Sequence, residues 1–143
     1  MKIAIGADHG GYEMKLAIKT KLENDGYEVL DYGTHSNESV DFPDFSKQVT
    51  KAVTEEEAKL GILICGTGIG MSIAANKVKG IRAALVGDVF SAKATREHNN
   101  SNVLCLGARV TGLGLAEMIV DTWLNAEFEG DRHQKRLDKI NDQ

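Results

Sequence analysis

Six consecutive small or apolar residues, Leu60-Gly61-Ile62-Leu63-Ile64-Cys65, run without a polar side chain straight into Gly66-Thr67-Gly68-Ile69-Gly70. A strand that is apolar on both faces has to be covered on both sides, the condition of interior strands in parallel sheets. The unit recurs along the chain. Residues 3–5 end in Gly6-Ala7-Asp8-His9-Gly10-Gly11, after which Met14, Ala17, Ile18 and Leu22 mark one face of a helix that stops at Asn24-Asp25-Gly26. Residues 27–32 alternate as a strand, and a polar loop over 33–43, holding the single proline Pro43, separates them from a helical spacing of Phe45, Val49, Ala52 and Val53. Further strands are expected at 82–86 and 103–106, with helices at 71–77, 90–97, 113–124 and 132–140, the last within a C-terminal segment of 131–142.

Strands alternating with helices pair in parallel through right-handed crossovers, which makes this an α/β chain. The expected form is a three-layer, Rossmann-like α/β/α sandwich on a five-stranded parallel sheet. If the second strand lies outside the first, the order begins 2-1-3 and leaves a switch point between the first and third strands, where open sheets bind ligands at their carboxyl ends. The loops meeting there begin at Asp8 and at Cys65; the order of the last two strands stays open. Nothing in residues 1–143 reads as a repeat, low-complexity tract or linker, so they form one expected domain.

Seventeen basic against twenty-one acidic side chains leave a formal charge of −4, which gives no electrostatic reason to expect nucleic acid or an anionic membrane. No apolar stretch approaches the roughly 20 residues that span a bilayer, and the apolar start is too short for a signal peptide. Cys65 and Cys105 lie in apolar runs without a paired C-x-x-C, so neither zinc nor a disulfide is expected. A cytoplasmic protein is the expectation.

Three glycines at alternate positions after Cys65 let the main chain approach a ligand and turn several N–H groups toward one point, backed by the positive end of the following helix. Such a cradle suits an anion, although the same glycines also serve a plain strand-to-helix turn. The lysine of a P-loop is missing, and the third glycine comes one place early for a dinucleotide fingerprint. An enediolate oxygen formed during a reaction would use these donors as an oxyanion hole. Cys65 stands at the mouth of the loop, where a helix N-terminus favours thiolate, and is a candidate base or nucleophile. Cys105 reads as a packed small hydrophobe. A cysteine phosphatase would carry arginine where this chain has Met71.

Asp8 and His9 end the first strand and should face the same crevice as Cys65; the alternative is an Asx-type turn with a surface histidine. His98-Asn99-Asn100 ends the fourth helix and, taken alone, is a C-cap. His35 lies in a polar loop and is expected in solvent. Arg132 and Arg136, four apart on one helical face, can hold a dianionic phosphate, with Arg109 as a third, or can simply be a solvated basic face. The tail begins after Gly130 and can reach its own crevice or that of a second subunit.

Taken together, Ala7-Asp8-His9-Gly10-Gly11, Gly33-Thr34, the Cys65–Gly70 loop with Ser72-Ile73-Ala74-Ala75-Asn76-Lys77, His98-Asn99, Gly107-Ala108-Arg109-Val110 and Arg132-His133-Gln134-Lys135-Arg136 resemble the ribose/galactose isomerase family in its type-B ribose-5-phosphate isomerase branch. The resemblance spans essentially the whole chain. It implies a homodimer or dimer of dimers with shared sites, and an aldose-ketose isomerase of the pentose phosphate pathway acting on a phosphosugar without metal or organic cofactor. By the same resemblance His98 opens the sugar ring with Asp8 and Thr67 assisting, and Cys65 is the base. The main-chain N–H groups of Gly66, Gly68, Ile69 and Gly70, with Asn99, hold the enediolate. His9, Arg109, Arg132 and Arg136 hold the phosphate, some of them from the neighbouring subunit. One branch uses a glutamate where this chain has Met71, so the likeness is to the cysteine branch; Phe42 stands where many members have tyrosine.

Two rival readings remain at this level. An isomerase of a six-carbon phosphosugar such as allose or galactose 6-phosphate differs by one carbon's worth of room. A non-catalytic sugar-phosphate sensor would use the same cradle with Cys65 merely packed.

Overall fold

In the computed structural model, which describes residues 1–143, β1 (Lys2–Ala7), β2 (Glu28–Asp31), β3 (Leu60–Cys65), β4 (Ala83–Leu85) and β5 (Val103–Gly107) form one sheet in the order β2-β1-β3-β5-β4. Every pairing is parallel. The switch point between β1 and β3 stands where the sequence places it, and β5 rather than β4 lies beside β3. The helices are α1 (Tyr12–Asn24), α2 (Phe42–Thr54), α3 (Ile69–Asn76), α4 (Val89–Asn99), α5 (Leu113–Asn125) and α6 (Arg132–Asn141), with a 3-10 turn at His9–Gly11.

Alternation along β3 sends Ile62 and Ile64 to one face and Leu63 and Cys65 to the other. The first face packs on Ile18 and Leu22 of α1, Ala92 of α4 and Ile119 and Trp123 of α5; the second packs on Val49 and Val53 of α2 and Met71 and Ala75 of α3. Three layers result. α6 lies outside them against α4, through His133 and Leu137, both buried.

Two boundaries differ from the sequence expectation for identifiable reasons. α2 starts at Phe42, so Pro43 is in its first turn rather than in a loop; a helix's first turn needs no N–H from proline and accepts its fixed φ. α3 starts at Ile69 rather than Met71, because Gly68 adopts φ +79° as its N-cap and reverses the chain at once.

Lys15 is fully buried, and its Nζ donates to both carboxylate oxygens of Asp31 at 2.7 Å. Asp31 Oδ1 also accepts from the Gly33 N–H at 2.9 Å, so one carboxylate ties α1 to the loop leaving β2. Burial alone would raise the Asp31 pKa, but the Lys15 and Gly33 hydrogen bonds and the charges of Lys15 and Lys19 outweigh it and hold the carboxyl below its ordinary range. On the outer edge of the sheet, the Asn76 side chain donates to Ala83 O at 2.9 Å and accepts from Ala83 N–H at 2.8 Å.

Candidate active site

The carboxyl ends of β1, β3 and β5 are laced together by main-chain bonds. Asp8 N–H donates to Ile64 O at 3.2 Å, Ala108 N–H to Cys65 O at 2.9 Å and Arg109 N–H to Gly66 O at 2.9 Å. Two glycines make this closeness possible: a Cβ on Gly11 would lie 2.5 Å from Ile64 O, and one on Gly107 would lie 2.5 Å from Thr67 O. The Arg109 side chain covers Gly66, with its Cδ 3.3 Å from where a Cβ would be.

Within this crevice Asp8 is nearly buried and its Oδ1 accepts from Gly10 N–H at 2.9 Å, so the Asx-type turn and the crevice position are both realised. The Sγ of Cys65 accepts from Gly68 N–H at 3.1 Å, and Gly68 adopts the left-handed conformation as the chain turns into α3. Thr67 is exposed beside it, its Oγ1 accepting from Ile69 N–H at 3.2 Å. Gly70 falls in the first turn of α3, where amides have no intrahelical acceptor and can serve a ligand. Phe42 lies with its ring edge against Gly70 and offers no hydroxyl there. His9 Nδ1 accepts from Val40 N–H at 3.2 Å, which leaves the neutral ring's proton on Nε2, free to donate. His35 is exposed, as expected.

The cysteines separate clearly. Burial, and secondarily the proximity of Cys65, raise the pKa of Cys105 and keep it a thiol within the core, while Cys65 sits at the foot of the glycine loop.

The remaining expected residues lie elsewhere in the chain. His98 and Asn99 close α4, capped by Asn100 in the left-handed region at φ +47°. Arg82 Nε donates to Asn100 O at 2.8 Å and Arg96 Nη1 donates to Asn100 Oδ1 at 3.2 Å and to Ser101 O, which locks this turn. Trp123 Nε1 donates to Ser101 Oγ at 2.9 Å from below. The turn leads into the amino end of β5, where Val103 pairs with Gly61, whereas Cys65 pairs with Gly107 at the carboxyl end. Four residues of strand rise about 13 Å, so His98 and Cys65 of one chain sit at opposite edges of the sheet. The structure therefore gathers Asp8, His9, Cys65, the 66–70 loop and Arg109 at one edge, and His98, Asn99, Arg132 and, one helical turn on, Arg136 at the other.

The profile of the Ribose/Galactose Isomerase family matches residues 3–140. The chain belongs to the ribose/galactose isomerase family. It is 52% identical over 139 residues to the ribose-5-phosphate isomerase B of Escherichia coli, covering 97% of this chain and 93% of that protein. The solved ribose-5-phosphate isomerase B of Clostridium thermocellum superposes with a TM-score of 0.99 at 58% identity, over 99% of this chain and 96% of that one. A Mycoplasma genitalium ribose-5-phosphate isomerase B with bound ribulose-5-phosphate superposes at TM-score 0.95 and 45% identity, over 99% and 94% of the two chains. The three-layer fold of this family is thus the fold of this chain, and no helix in it is long and apolar enough to cross a membrane.

Two residues at the amino edge escape the reading of the sequence. Glu129 and His133 are four apart across the start of α6, and their side chains meet at 3.1 Å beside His98. The spacing was a visible signal, but nothing in the sequence says that the pair packs on α4.

Proposed function

We propose that this family member interconverts ribose 5-phosphate and ribulose 5-phosphate, a step of the pentose phosphate pathway, at two equivalent sites of a homodimer. Each site takes Asp8, His9, Cys65, the 66–70 loop and Arg109 from one chain, and His98, Asn99, Arg132 and Arg136 from the other. The observation that carries the reading is the Cys65 sulfur at the foot of a main-chain donor loop, held by Gly68 N–H at 3.1 Å. The substrate bound in the Mycoplasma genitalium relative supports the pentose assignment.

The chemistry runs in balanced steps. His98 takes the proton of the anomeric hydroxyl as the C1–O4 bond breaks, and O4 is protonated with the help of Asp8 and Thr67, giving the open aldehyde. The Cys65 thiolate then removes the proton on C2, and the electron pair moves through C1 onto O1 as an enediolate. Main-chain N–H groups of Gly66, Gly68, Ile69 and Gly70, with Asn99, stabilise that charge. After proton exchange between the two oxygens, the Cys65 thiol returns its proton to C1 and the ketose forms. His9, Arg109, Arg132 and Arg136 grip the phosphate so that C1 and C2 stay beside the sulfur. All of this is acid-base chemistry of side chains and amides, with no step assigned to a metal or organic cofactor.

The two-chain site is supported by the separation of His98 from Cys65 and by exposed apolar side chains next to the loop: Ile69, Ile73, Leu85 and Phe90 are 51%, 60%, 45% and 81% exposed. Closing that surface against a second copy brings a foreign amino edge to this carboxyl edge. Residues 1–143 would act as one domain. A working thiolate and two free cysteines suit a reducing, cytoplasmic setting. A spectrophotometric assay with a chelator present tests the reading: kcat/KM for ribose 5-phosphate should exceed that for allose or galactose 6-phosphate by at least about tenfold. A preference for the hexose, or turnover abolished by the chelator, overturns it.

A further inference from the structure

Glu129 belongs to no part of the machinery described so far, yet its Oε1 lies 3.1 Å from His133 Nε2, 3.9 Å from His98 Nε2 and 3.8 Å from Arg132 Nη2. Its own N–H donates to Glu97 O at 3.0 Å, which ties residue 129 by main chain to the neighbour of His98. His133 is 6% exposed, and its ring stacks on that of His98 with centroids 4.5 Å apart and planes 17° from parallel. Two histidines and a carboxylate so close suggest a cation site, but the geometry argues otherwise. Although both Nε2 atoms face Glu129 Oε1, the Arg132 guanidinium stands 3.8 Å from that same oxygen, and its fixed positive charge opposes a cation there.

We propose that Glu129 is a positioning residue for ring opening: it holds His133 as a fixed platform, and the stacked platform sets the plane of His98. This rests on the reading that His98 opens the sugar ring. His98 is an exposed side chain at a helix end, where an imidazole would otherwise sample several rotamers. A buried, hydrogen-bonded ring beneath it restricts that freedom, with the Glu129 carboxylate 3.9 Å from the His98 Nε2.

The chemistry of the two substrates supplies a selective test. Ribose 5-phosphate arrives as a closed furanose and needs His98; ribulose 5-phosphate carries its carbonyl at C2 and its phosphate on O5, so it cannot close a furanose and meets Cys65 already open. In Glu129→Gln, kcat for ribose 5-phosphate should fall about tenfold or more with KM changed less than about threefold. Cys65-dependent exchange of solvent deuterium into C1 of ribulose 5-phosphate, followed by NMR, should stay near the unsubstituted rate. Glu129→Asp should recover part of kcat, and His133→Gln, which removes the stacked ring, should reproduce the split. Dimer content and melting temperature are measured on each variant. Loss of exchange in parallel with turnover, or unchanged turnover in both Glu129→Gln and His133→Gln, overturns the proposal. If the unsubstituted protein itself fails to turn over ribose 5-phosphate, the functional reading falls and this proposal falls with it.

Discussion

The amide of Gly68 reaches the sulfur of Cys65 at 3.1 Å, and Gly68 itself takes φ +79°, a conformation that side chains rarely adopt, as the chain turns from that bond into α3. A packed core cysteine has no need of such a donor, and Cys105, one strand over and fully buried, has nothing comparable in its surroundings. The loop proposed to cradle substrate charge thus also holds the sulfur proposed as the base.

Cys65→Ala should remove turnover by about a thousandfold or more while leaving the affinity for ribulose 5-phosphate within about threefold, since the role proposed for the sulfur concerns a carbon-bound proton and not the phosphate. Steady-state kinetics and titration calorimetry on the same preparation give the two numbers. A variant with normal turnover removes the thiolate mechanism.

The separation of His98 from Cys65 leads to a complementation experiment. Cys65→Ala and His98→Ala should each be inactive, yet denaturing and refolding them together should restore activity, because in the proposed homodimer a mixed pair carries one site with both native residues. Random mixing makes about half the dimers mixed, each with one of two sites intact, so recovery should approach about a quarter of the unsubstituted activity. Sites built within one chain would recover nothing.

At Gly107 a Cβ would stand 2.5 Å from the carbonyl oxygen of Thr67, main chain against main chain. Gly107→Ala should cost about 1–3 kcal/mol of stability by displacing the loop, and should lower kcat as well. Denaturation and initial rates measure both; retention of full activity at unchanged stability would show that the loop tolerates the shift.

For Asp31 the sign of the pH effect follows from a carboxyl whose pKa in the fold lies below its ordinary value. Its contribution is complete above the unfolded pKa of about 3.9 and is lost as pH falls through the folded one, so acid should destabilise the protein progressively below about pH 4. Asp31→Asn leaves Lys15 buried without its partner and should lose about 3–5 kcal/mol near neutrality. That variant should also show a shallower decline in acid; equal slopes for the two proteins would remove Asp31 from the account of acid sensitivity.

Much of this molecule can be read from the spacing of its apolar residues. The unbroken apolar run of 60–65 signals an interior strand, and Gly66-Thr67-Gly68-Ile69-Gly70 marks the turn at its end, because local conformation decides both. The position of β5 beside β3 is not local, since it depends on which crossover buries more surface, and the sequence leaves it open. Likewise Asp8 and Cys65 are legible as neighbours through the switch-point rule, and the comparison with family motifs nominates His98. Its distance from Cys65 within one chain, and its stacking on His133, come from how α4 and α6 pack, which no short spacing encodes. Pro43 misleads for a simpler reason: proline breaks helices inside but starts them well.

The Asn76 side chain, by occupying both the N–H and the C=O of Ala83, acts as a one-residue mimic of a sixth strand on the rim of the sheet. A free rim would be a template on which another copy's backbone could add, the route to indefinite sheet growth. With that rim blunted and β4 only three residues long, this side of the sheet offers a second copy little main chain to pair with, so the homodimer proposed above would have to meet there through side chains.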